Sequence, residues 1–167
     1  MIALTVAALA VAAALVQVGP LSLFTVDAIA SPLLPIAVVA GWGVARRADE
    51  TWLALLLAPV VFGAVSQDRV GVFVIALWPT AAFALLARQS DRDPAGYTPR
   101  RLVAAAAAAA AGAACYVTLL AVAGGHVASI ATQARTILVA IAITAVAATA
   151  VAVAVWPWRP RRRGLFE

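Results

Sequence analysis

The chain has 167 residues, of which 65% are hydrophobic, and its mean hydropathy is +1.03. Soluble domains are about 45–50% apolar, and a small domain cannot hide such an excess from water. Composition therefore excludes an ordinary soluble protein and leaves no length for an added soluble domain. The net charge of +5 does not predict nucleic-acid binding, which would need a basic patch on a folded domain.

Six apolar segments follow one another, separated by short polar breaks. The first lacks the positively charged leader of a signal peptide, so we expect a retained span. The second is short for a span of about 20 residues, and its prolines suit a helix start. Pro59 and Pro79 lie within the third and fourth segments, where we expect kinks that face protein. The predicted spans cover residues 1–18, 30–45, 51–65, 70–87, 102–123 and 137–156, followed by a basic tail over residues 157–167.

The twelve basic residues are all arginines, and their distribution predicts the orientation. When the polar breaks are assigned alternately to the inside and the outside of the membrane, the outside breaks contain only Arg69 and Arg135. Basic residues are retained in the cytoplasm during insertion, so both termini are predicted to be inside. The absence of lysine and the abundance of alanine indicate a GC-rich bacterial genome. With the six predicted spans, we expect a multi-pass protein of the bacterial cytoplasmic (inner) membrane. The arginines predicted to be inside are Arg46, Arg47, Arg88, Arg92, Arg100, Arg101, Arg159, Arg161, Arg162 and Arg163.

Tryptophan positions agree with this orientation. Trp42, Trp52, Trp156 and Trp158 fall near predicted cytoplasmic ends, where amphipathic rings favour the headgroup level. Trp78 does not, and we expect it to pack inside the bundle.

Polar side chains at membrane depth normally mark function, and no Asp, Glu, Arg or His lies at the centre of a predicted span. This pattern argues against a proton-coupled transporter, a pump or an intramembrane protease. Asp27, Asp68 and His126 fall on the predicted outer face as candidates for an acid–base set or a weak metal site. Because their spacing matches no catalytic or metal motif, the alternative is three solvated loop residues. We therefore predict no catalytic residue, cofactor or metal.

Eight consecutive alanines, Ala104 to Ala111, lie in the fifth segment. Small side chains allow close backbone approach, and packing drives helix association in lipid. The run predicts docking either against the chain's own helices or against another membrane protein.

One region resembles a known family. It begins with Leu33-Leu34-Pro35 in an apolar helix and continues through a short turn with two arginines. It then includes the next span, whose ending is the sequence from Phe62 to Gly71. The MreD family, the small membrane subunit of the bacterial cell-elongation machinery, has a similar order of an "LLP" helix, a basic turn, a "GxxxxD" ending and a glycine that opens the next helix. Gly63, Asp68 and Gly71 would match its motif positions.

The resemblance implies a non-enzymatic scaffold or regulatory subunit of the cell-shape and peptidoglycan-elongation complex. Proteins similar to MreD associate with the bitopic protein MreC. Through MreC they associate with a RodA-type polymerase and its transpeptidase, a class B penicillin-binding protein. The implied fold is an all-α bundle of six transmembrane helices, N-in and C-in, resembling the substrate-binding subunits of energy-coupling-factor transporters.

Two other functions are weighed against this one. A substrate-binding subunit for a vitamin or metal would need convergent outer polar groups, for which Asp27, Asp68, His126 and Gln133 are the candidates. A lipid-modifying enzyme would need a nucleophile, base or metal triad, which cannot be assembled from this sequence. Membrane lipids are expected partners in every case, and the arginines of the tail suit anionic headgroups.

Overall fold

The computed structural model describes residues 2–19, 32–46, 48–66, 70–89, 99–124 and 127–158. The prediction of an all-α protein is confirmed, because these residues form six α-helices, two short 3-10 turns and no strand. The helices are α1 (Ile2–Val18), α2 (Leu34–Ala45), α3 (Trp52–Ser66), α4 (Val70–Gln89), α5 (Pro99–Gly124) and α6 (Val127–Val155). The 3-10 turns are Ala48–Thr51, before α3, and Trp156–Trp158, after α6.

Helix α2 lies at the centre of the bundle. It packs against α1, α4, α5 and α6, while α1, α3, α4, α5 and α6 follow one another in an open arc around it. Ten of its twelve residues are buried. The sequence of α2 contains no charged residue or polar face that would mark it as the central helix. A helix that is apolar on every side suits such a central position.

The outer surfaces of the other five helices are apolar. Leu4 on α1 is 68% exposed, and Leu56, Trp78, Val103 and Leu138 are similarly exposed on α3 to α6. Contiguous exposed apolar surface of this extent is unusual for a soluble monomer. Helix α5 and the stretch Ile130–Trp158 are long and apolar enough to cross a membrane, whereas Ile2–Val18, Leu34–Ala45 and Gly71–Leu86 are apolar but shorter.

Two helices begin at positions other than the first residues of the predicted spans. Helix α6 begins at Val127 rather than at residue 137, because no glycine or proline interrupts the polar stretch before Ile137. Helix α2 begins at Leu34 rather than at residue 30, because the backbone nitrogen of Leu33 donates to a side chain of α6 instead of continuing a helix upstream.

The predicted burial of Trp78 is wrong, since its side chain is 74% exposed. It sits on α4 immediately before Pro79, on the face turned away from the neighbouring helices. Pro59, by contrast, is fully buried, so the kink expected in α3 does face protein.

Two glycines allow helices to approach closely. A Cβ atom on Gly41 of α2 would lie 2.8 Å from the Cβ of Val151 on α6, and one on Gly112 of α5 would overlap the Thr80 hydroxyl of α4. Around Gly112 the residues Ala105, Ala108, Ala109 and Ala113 are buried. The alanine run therefore packs in part against the chain's own helices, the first of its two predicted uses.

Candidate functional site

The polar side chains of the described bundle gather at a few junctions between helices. At the first junction, the backbone nitrogen of Leu33 donates to Oγ1 of Thr144 at 3.0 Å, and the backbone nitrogen of Leu34 donates to Oε1 of Gln17 at 3.0 Å. Thr144 and Gln17 are both buried. Side chains from α6 and α1 thus satisfy free N–H groups at the start of α2, where a helix has no internal acceptors.

The depth of this junction follows from helix geometry. The start of α2 is level with Thr144, and Arg46 just after its end contacts the carbonyl of Trp158. Helices α2 and α6 therefore run parallel, side by side. Twelve helical residues rise about 18 Å, so α2 is little more than half as long as a hydrocarbon core of about 30 Å is thick.

The second junction joins the end of α2 to the end of α6. Arg46 pairs with Glu50 through Nε and Oε2 at 3.1 Å and through Nη2 and Oε1 at 3.3 Å. The indole Nε1 of Trp42 donates to Oε2 of the same carboxylate at 2.8 Å. A second amino group of Arg46 donates to the backbone carbonyl of Trp158, and its guanidinium lies 5.5 Å from the Trp42 ring centroid.

Arg46 and Glu50 are largely withdrawn from solvent, with side chains 9% and 13% exposed. Charged groups in such surroundings are tolerated when they are paired and hydrogen-bonded. Nearby, the guanidinium of Arg101 lies 6.0 Å from the Trp156 ring centroid, within cation–π range. Two arginines, one just after α2 and one on α5, therefore contact the turn Trp156–Trp158.

A third junction is aromatic and joins α3, α4 and α5. The rings of Phe62 and Phe73 stack with centroids 4.6 Å apart. Tyr116 meets both edge-on, at 6.4 Å and 5.7 Å. All three side chains are buried, so this cluster fixes the relative positions of three helices by packing.

Beside it, α4 and α5 meet at a polar atom without a partner. The Thr80 hydroxyl is buried and forms no hydrogen bond with the described residues. It faces Gly112, and Pro79 precedes it in the chain. The space between the hydroxyl and Gly112 is too small even for an added Cβ atom. This contact is therefore a packing contact with no room for a ligand.

The predicted outer-face residues Asp27, Asp68 and His126 lie outside the described residues. Gly63 is half-buried on α3, and Gly71 is exposed in the first turn of α4, where an added Cβ would meet nothing within 4 Å. Packing therefore does not require glycine at position 71. Within the described ranges no three His, Cys, Asp or Glu residues lie close enough to hold a metal ion.

Sequence reasoning missed the residues of both polar junctions. Gln17 and Thr144 are polar residues within apolar helices, and their positions in the sequence could have indicated hydrogen bonds between helices. Arg46 and Glu50 stand four residues apart, the spacing at which opposite charges pair on a helix, and that spacing could have indicated the pair.

No family model, curated protein or solved structure significantly matches this chain. Any functional proposal therefore rests on the geometry of the bundle, on the residues at its junctions and on the sequence resemblance described above.

Proposed function

We propose that this chain is a non-enzymatic membrane scaffold or regulatory subunit, with all six helices embedded in the bacterial cytoplasmic membrane and both termini inside. The single observation that carries the proposal is the use of its polar side chains. Thr144, Gln17, Arg46 and Glu50 each bind one part of the bundle to another. Such an arrangement supports a rigid platform for other proteins.

The orientation has its own support. Arg46 and Arg101 come from two different predicted inside breaks, and both contact the turn Trp156–Trp158, which the basic tail follows. Arginines from two of the groups that the positive-inside rule assigns to the cytoplasm thus meet at one end of the bundle. If the chain crossed the membrane an odd number of times between these arginines, they would lie on opposite sides of the membrane.

The partners follow from the resemblance to the MreD family. The chain would bind a bitopic protein similar to MreC, and through it a RodA-type polymerase and a class B penicillin-binding protein. The exposed faces of α1, α3, α4, α5 and α6 are apolar. They support an environment of lipid and other transmembrane helices, because exposing apolar surface to water is unfavourable.

The experiment is affinity purification from native membranes in a mild detergent, with a tag on the cytoplasmic C-terminus. An unrelated multi-pass protein with the same tag is the control for non-specific recovery. We expect specific recovery of a single-span MreC-like protein with cell-wall polymerase components.

Two results would contradict the proposal. Recovery of a pair of ATPases with a coupling membrane subunit would identify a substrate-binding subunit of an uptake system. Recovery of nothing beyond the control, together with normal cell width and wall synthesis after deletion of the gene, would remove the cell-shape role.

A further inference from the structure

We draw no further inference here: the strongest candidate, the N-terminus of α2 inside the bundle, belongs to the polar junction already described, because side chains of α6 and α1 accept the bonds from the backbone nitrogens of Leu33 and Leu34 and nothing in the described part of the chain points to a ligand there.

Discussion

The hydroxyl of Thr144 accepts a hydrogen bond from the backbone nitrogen of Leu33 at 3.0 Å and donates one to the carbonyl of Ala140 at 2.8 Å. One buried side chain of α6 thus sets the point at which α2 begins. These residues are 111 positions apart in the chain, and the contact joins the two helices that run parallel through the core.

Replacement of Thr144 by valine should destabilise the bundle by about 1–2 kcal/mol, because the shape is kept and the N–H of Leu33 loses its acceptor. Unfolding in detergent mixtures, followed by circular dichroism, measures the change. Thr118→Val is the matched control, since the Thr118 hydroxyl is exposed and bonds only to carbonyls of its own helix. Equal stability of the two variants would mean that the contact with Leu33 contributes nothing.

Removal of the Arg46–Glu50 pair should loosen the end of α6. Glu50→Gln keeps the size of the side chain but leaves Arg46 without its counter-charge, and we expect a loss of about 2 kcal/mol in unfolding free energy. The bond from Arg46 to the Trp158 carbonyl also predicts faster proteolysis of the C-terminal tail in Arg46→Gln.

Arg100→Gln serves as the control for this prediction, because Arg100 is exposed in the first turn of α5. Its effect on stability should be within about 0.5 kcal/mol. A double-mutant cycle over Arg46 and Glu50 isolates the pair. A coupling energy of zero would show that the two charges act independently.

Gly112→Ala should separate α4 from α5. The added methyl group overlaps the Thr80 hydroxyl and approaches the backbone carbonyl of Ala76, and overpacking of this kind costs about 1–3 kcal/mol. Gly71→Ala is the matched control, with open space around the new methyl group. Alanine is the better helix former by up to about 1 kcal/mol, so this variant should be as stable as the natural chain or more so.

The same control tests the family motif. If Gly71 serves only the start of α4, Gly71→Ala should retain partner recovery in the purification. A stable Gly71→Ala chain that no longer recovers its partner would assign the glycine to the interaction itself.

Orientation is tested by cysteine labelling in intact cells with a membrane-impermeant maleimide, after replacement of the single native cysteine by Cys115→Ala. Arg135 and Arg100 are both exposed and lie in α6 and α5. We expect Arg135→Cys to be labelled from outside and Arg100→Cys only after the cells are opened. Labelling of Arg100→Cys in intact cells would invert the proposed topology.

Much of the architecture could be predicted from local sequence. The apolar segments that become α1, α3, α4 and α5 are bounded by glycine, proline or charge, which end helices by their own chemistry. The start of helix α6 could not be read from the predicted span, because Thr132, Gln133 and Arg135 resemble a loop by polarity, although nothing in that stretch disfavours helical backbone.

The sequence by itself determined the all-helical class and the segregation of arginines, because helix formation and charge are properties of neighbouring residues. Only the tertiary structure decided which helix is central, that Thr144 and Gln17 bind the start of α2, and that Trp78 faces outward. In a chain where almost every side chain is apolar, hydropathy cannot distinguish the face that meets protein from the face that meets lipid. That choice depends on shape, on where glycine and alanine let backbones approach, and on which distant polar atoms come within 3 Å of each other.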